Sequence, residues 1–211
     1  MATLVVGLDE VGRGCWAGPV VAGAVLLEKP IEGLRDSKKL SKKRREALAE
    51  VIRNEAKAYG VGWVTANEVD EMGLTKAVQL AMLRAMKRLQ ESGETYDEII
   101  IDGNINYFQG VQGLTFRHPT PDPESVTGRT CHRVRAVVKA DDSVPAVSAA
   151  SILAKVARDE YMARLANEFP AYGFETHVGY GTQAHVRALK EHGVTNEHRK
   201  SYKPIQAILS T

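Results

Sequence analysis

TLVVGLDEVGRG (residues 3–14) and PVVAGAVLL (residues 19–27) decide the architecture of this chain. Residues 3–8 are a short β-rich apolar run that ends in two acids, Asp9 and Glu10, and a glycine-rich stretch. Residues 19–27 are a second apolar run. Both have the length and β-branched content of strands, and a short glycine-rich turn between them predicts a strand pair. Residues 60–65, 97–102 (DEIIID) and 134–139 read as three further strands. A helix opens at Ser41, whose hydroxyl can cap it, with Ala47, Leu48, Val51 and Ile52 at helical spacing. Residues 74–89 form an amphipathic helix, and Pro145 stands in the first turn of a long helix reaching about residue 167. One strand pair followed by strands separated by helices predicts an α/β fold, a mixed central sheet flanked by helices.

The 211 residues are 44% hydrophobic and 26% charged, which excludes a disordered or collagen-like chain. Lys plus Arg number 28 against 26 Asp plus Glu, so any affinity for nucleic acid has to come from a local patch. Two cysteines, Cys15 and Cys131, make no disulfide framework and suit a reducing compartment. No apolar run approaches the ~20 residues that span a bilayer, and the acids at Asp9 and Glu10 come too early for a signal peptide. The expectation is a cytoplasmic protein. Residues 105–132 lack periodicity and are rich in turn formers, and a loop of that length is expected to be functional or mobile. From residue 171 the chain reads as a small helical C-terminal extension of a domain at 1–170, without a separate core.

Four carboxylates carry the chemistry. Asp9 and Glu10 close the first strand, Asp102 closes DEIIID, and Asp141 follows the strand before it. Residues just past strand ends share an edge of an α/β sheet, so these side chains can converge. Converging carboxylates need cations, and hard divalent ions such as Mg²⁺ or Mn²⁺ suit an oxygen-only donor set. Acids at strand ends also cap helices and solvate loops. Asp141 and Asp142 are adjacent, and spacing does not choose between them.

Gly12-Arg13-Gly14 can offer backbone N–H groups and a guanidinium to a phosphate, or be an ordinary tight turn. The basic run at 38–45, with Lys38 and Lys39, opposes the macrodipole of the helix it precedes, which favours phosphate contact over helix stability; a solvated face is the other reading. Ser148, Ser151 and Lys155 share one side of the long helix and suit a phosphate backbone, unless the serines are small packing residues. His177, His185, His192 and His198 lack a compact metal spacing and read mostly as surface groups or as groups that support the site from behind. Tyr180, between Gly179 and Gly181, is placed to stack on a ligand.

Five stretches together closely resemble the ribonuclease HII family: GLDEVGRG (7–14), DSKKLS (36–41), IDGN (101–104), VVKADDSVPAVSAASILAKVARD (137–159) and YGFETHVGYGT (172–182). The resemblance implies a ribonuclease H-like fold and a two-metal active site, with Asp9, Glu10, Asp102 and Asp141 as the four acids. It implies an endoribonuclease that cuts the RNA strand of RNA/DNA hybrids and the 5′ side of single ribonucleotides in duplex DNA, leaving 5′-phosphate and 3′-hydroxyl ends. Gly12, Arg13 and Gly14 match the motif that reads the RNA–DNA junction, and Tyr180 the tyrosine that stacks on the following deoxyribose. Lys38, Lys39, Asn104, Lys139, Ser148, Ser151 and Lys155 fall in motifs that line the substrate groove, beside which the C-terminal extension packs. The Gly-Arg-Gly turn, and acids that begin at Asp9, favour this family over ribonuclease HIII. The segment between IDGN and VVK is longer than in many bacterial members and is expected to form a hairpin or lid. A monomer is expected. A DNA-junction nuclease on the same fold and a silent nucleic-acid-binding module are the rival readings. Cleavage of all-DNA duplex would favour the first, and an intact four-acid set argues against the second.

Overall fold

In the computed structural model, which describes residues 3–35, 37–114 and 134–210, the chain folds as a five-stranded sheet with helices on both faces. The elements are β1 (Val5–Val11), β2 (Val20–Leu26), α1 (Lys42–Glu55), β3 (Ala58–Val64), α2 (Ala66–Met72), α3 (Leu74–Gln90), β4 (Glu98–Asp102) and β5 (Val134–Val137). After them come α4 (Ala140–Ser143), α5 (Pro145–Glu168), α6 (Phe174–His177), α7 (Gln183–His192) and α8 (Lys203–Leu209). The strand order is β3-β2-β1-β4-β5. β1 pairs antiparallel with β2 and parallel with β4, so the sheet is mixed, as the alternation of strands and helices predicts.

Val6, Leu8, Ile99 and Ile101 face the layer that holds α3, whose Ala77, Val78, Ala81, Met82, Ala85 and Met86 are buried at helical spacing. The opposite face is covered by α5, with α1 outside it through Leu48, Ala49 and Ile52. A methyl group at Gly7 would run into the backbone of Ala146 and Val147, so the absent side chain is what lets α5 lie directly on β1. Helix α5 is buried along most of its length, and it brings Ser148, Ser151 and Arg158 beneath the sheet end that carries the acids.

Several expectations change. Asp9 and Glu10 do not end β1, which continues to Val11 because its pairing with β2 extends to Val11–Val21. The connection to β2 is a loop over 12–19 rather than a short turn, and it is held from outside. The short helix α2, absent from the sequence reading, turns Ala66, Val69 and Met72 inward and opens on a capping box: the Thr65 side chain accepts from the Glu68 N–H and the Glu68 carboxylate accepts from the Thr65 N–H. The C-terminal extension is packed onto the rest of the chain. Phe174, Ala188, Leu189 and Ile205 pack with Met162 and Leu165 of α5 and with Ala17. Most of the long segment at 105–132, with Cys131, lies outside the described residues, as does Asp36 of the basic motif. Among the described residues no helix is long and apolar enough to cross a membrane.

Candidate active site

The parallel register sets Leu8 of β1 beside Ile101 of β4, so Asp9 and Asp102 follow as neighbours at one edge. Asp9 shares the face of Gly7 and points towards α5, where the Ser151 hydroxyl donates to its carboxylate. Ser151 Oγ also shares a 3.0 Å hydrogen bond with Ser37 Oγ. Burial pushes the Asp9 carboxyl well above the usual carboxylate range, and the charges of Glu10 and Asp102 push it further. Burial also raises Glu10; the Arg13 guanidinium, 3.0 Å away, partly offsets this.

Asp102 accepts the Ala140 backbone N–H at 2.8 Å and so ties β4 to the first residue of α4. The link uses Lys139 in a left-handed conformation (φ 60°), which is costly for a residue with a Cβ and turns the chain abruptly from β5 into α4. Asp141 is buried in α4, and Ser148 Oγ donates to its backbone carbonyl at 2.6 Å. Its neighbour Asp142 is turned outward, 2.5 Å from Lys39 Nζ. The adjacent acids that spacing left unresolved thus occupy different environments. Among the described residues no three His, Cys, Asp or Glu side chains already form a metal cage. The donor set is nevertheless all oxygen and its charge is compressed by burial, which fits a hard divalent cation.

The glycine loop at 12–19 is held by two fully buried arginines that the sequence reading missed. Arg158 donates to the carbonyls of Pro19 (2.9 Å), Ala17 (3.1 Å) and Val178 (2.8 Å). Arg199 donates to the carbonyl of Gly18 through Nε at 3.1 Å and a terminal nitrogen at 2.9 Å, and to that of Arg13 at 3.0 Å. The Tyr202 hydroxyl adds a 2.7 Å bond to the Arg13 carbonyl. Burial lowers the pKa of the Arg158 guanidinium, with Arg199 nearby adding to the effect, yet an arginine keeps its charge.

Tyr180 meets this loop directly. A Cβ at Gly14 would lie 3.8 Å from Tyr180 Cε1, and burial raises the Tyr180 hydroxyl above its usual range, with Cys15 nearby adding to the effect. The Gly179 carbonyl accepts the Trp16 N–H at 2.8 Å, and the ring remains 43% exposed. Val178 just before it adopts φ 44°, an unusual state for a β-branched residue, with its carbonyl fixed by Arg158. The histidines divide between the two readings: His177, His185 and His198 are buried behind Tyr180, and of the four only His192 is exposed.

The basic candidates separate. Lys39 is paired with Asp142, and Lys155 with Asp159 at 2.7 Å. Arg45, in the same basic run, turns inward to the carbonyls of Leu40 (2.6 Å) and Ser37 (3.1 Å), so part of that run shapes its own loop. Asn104, Lys38 and Lys139 are exposed near the acidic edge. Ser148 and Ser151 are buried and engaged internally, which places them behind the carboxylates rather than on an open surface. Tyr107, whose hydroxyl is 3.4 Å from Arg13 Nη1, joins the site unforeseen.

The profile of the family described as Ribonuclease HII matches residues 6–205. The Ribonuclease HII of Polynucleobacter asymbioticus is 46% identical over 97% of this chain and 95% of its own. That of Hyphomonas neptunium is 44% identical over 98% and 96%. Among solved structures, ribonuclease H2 of Pyrococcus horikoshii superposes with a TM-score of 0.78 at 25% identity, covering 99% of this chain and 98% of that one. RNase HII of Archaeoglobus fulgidus, in a complex with PCNA, gives 0.70 at 29% identity, covering 95% of each.

Proposed function

The chain belongs to the ribonuclease HII family and is a type 2 ribonuclease H endoribonuclease; from that premise we propose that it cuts on the 5′ side of a ribonucleotide in duplex DNA as well as within RNA/DNA hybrids. The observation that carries this reading is the meeting of Gly12-Arg13-Gly14 with Tyr180 next to the acidic edge. A backbone loop beside a stacking ring can sense a 2′-hydroxyl and the sugar that follows it without reading a base. Little sequence preference is expected.

Asp9, Glu10, Asp102 and Asp141 would hold divalent cations, Mg²⁺ or Mn²⁺. Bound there, such ions supply an activated water and a counter-charge for the leaving oxygen. The residues of the chain do the rest. Ser151 and the Ala140 N–H aim Asp9 and Asp102. Arg13, paired with Glu10, is placed to reach the phosphate beside it. Lys38, Lys39, Asn104, Lys139 and Lys155 would follow the backbone of the duplex, the last of them on release from Asp159. The leaving group is the 3′-oxygen, so the products carry 3′-hydroxyl and 5′-phosphate ends.

The test is Mg²⁺-dependent cleavage of a DNA duplex with one embedded ribonucleotide, set against an all-RNA strand paired with DNA and an all-DNA duplex. Cutting the first two and sparing the third supports the proposal. Cutting all-DNA duplex overturns it. Tyr180→Ala should lose more on the single ribonucleotide than on the hybrid, by about 5- to 150-fold if stacking is expressed in the transition state. Equal losses on both, with a lower melting temperature, would reduce Tyr180 to a packing role.

A further inference from the structure

Three buried imidazoles lie directly behind the loop that presents Tyr180. His177 and His185 stack with centroids 4.5 Å apart, and His198 lies 5.2 Å from His185. Their partners fix the position of each proton. The Thr195 N–H donates to His198 Nδ1 at 3.0 Å, so that nitrogen is an acceptor and Nε2 carries the hydrogen. His198 Nε2–H then donates to His185 Nε2 at 3.0 Å. His185 must therefore carry its hydrogen on Nδ1, which donates to the Tyr180 carbonyl at 3.0 Å. His177 does the same work one step earlier: the Gly179 N–H donates to its Nδ1 at 3.2 Å, and its Nε2–H donates to the Tyr172 carbonyl at 2.7 Å. Burial lowers His185 and His198 to about 4, so both rings of the chain are neutral near pH 7.

We infer that His185, its tautomer set by His198, is a positioning residue that fixes the Tyr180 carbonyl and thereby the seat of the Tyr180 ring against the glycine loop. The inference rests on the junction-reading role of Tyr180 for its catalytic consequence, but not for its geometry. A packing role alone would be satisfied by any ring beside Trp16 and Phe174, which flank His185 at 5.8 Å and 5.6 Å. A positioning role requires a donor at the place of Nδ1. His185→Phe keeps the ring and removes the donor, whereas His185→Asn keeps an N–H there and loses ring contacts.

Two readouts in the full-length protein test this. The first is hydrogen exchange at Thr182, whose N–H donates to the same Tyr180 carbonyl at 2.8 Å. It should quicken in His185→Phe and stay near wild type in His185→Asn, and His198→Phe should show the same effect more weakly. The second is the ratio of cleavage on a single embedded ribonucleotide to cleavage on a continuous hybrid. It should fall about 5-fold in His185→Phe, the worth of one hydrogen bond, with rescue by Asn. No further fall should occur when Tyr180 is already Ala. Unchanged exchange in both Phe variants, or Phe performing as well as Asn in both readouts, overturns the inference. Faster exchange with a ratio untouched by His185→Phe and by Tyr180→Ala supports the positioning and instead rejects the stacking role of Tyr180.

Discussion

The acidic edge and the glycine–tyrosine junction adjoin each other and are built on opposite principles. At the acidic edge, burial and neighbouring charges push Asp9 and Glu10 away from their ionised forms, so keeping both carboxylates charged there calls for a counter-charge that the protein alone does not supply in full. At the junction the backbone carbonyls of Arg13, Ala17, Gly18, Pro19, Val178 and Tyr180 are all bonded to buried arginine or histidine side chains. On the proposed reading a divalent cation completes the first region, whereas the protein itself completes the second. A site that recognises shape gains from rigidity before the substrate arrives, whereas a metal site gains from a charge that only the ion relieves.

The largest effect should come from the acidic edge. Asp9→Asn or Asp102→Asn is expected to lower cleavage by about 1,000-fold or more, a loss of ~4 kcal/mol of transition-state stabilisation. Metal-free Asp9→Asn should melt at or above the wild-type temperature, because a disfavoured buried charge is gone. Added Mg²⁺ should raise the melting temperature of the wild type and raise that of the variant less. Full activity in either variant would break the comparison.

The junction should respond in stability instead. Gly12 has φ +94°, and a Cβ there would lie 2.7 Å from the Pro19 carbonyl oxygen and would press on Arg158. Gly12→Ala is expected to cost about 2 kcal/mol in urea unfolding, while Gly14→Ala, outside the left-handed region, should stay within about 0.5 kcal/mol. Equal costs would mean that the loop is not fixed from behind.

Acid sharpens the contrast because the two regions carry opposite signs. His185 and His198 fall from 6.5 to about 4 on folding, so the unfolded chain takes up their protons first. Their contribution is complete above pH 6.5 and is lost as pH falls towards 4. Asp9 and Glu10 are raised on folding, so in metal-free protein they favour the folded state as pH falls. Melting temperature against pH, without metal, should therefore fall more steeply with acid in Asp9→Asn and less steeply in His185→Asn. Parallel curves for both variants would contradict the assignment.

The smallest effect is expected at Lys39. Its pair with Asp142 is exposed, and Lys39→Ala should change stability by less than about 1 kcal/mol. Binding of any hybrid should weaken regardless of sequence, with a salt slope shallower by about one phosphate contact. An unchanged slope would assign Lys39 to its ion pair alone.

The sequence by itself determined the sheet and the acids. Strand and helix periods lie in consecutive residues, so the β1 and β2 runs, the stripe on α3 and Pro145 at the start of α5 were legible one segment at a time. The candidate acids were legible for the same reason, since each adjoins a recognisable strand. Tertiary structure alone decided which groups serve them. Arg158 reaches Pro19, Arg199 reaches Gly18, and His198 reaches His185, whose other ring nitrogen holds the Tyr180 carbonyl; none of these partners is marked by a shared local pattern. It also set Asp141 inward and Asp142 outward, through the left-handed turn at Lys139 that a propensity reading has no means to foresee. Burial is the physical reason: a polar group removed from water must find a partner wherever the fold brings one, and that choice is made in space.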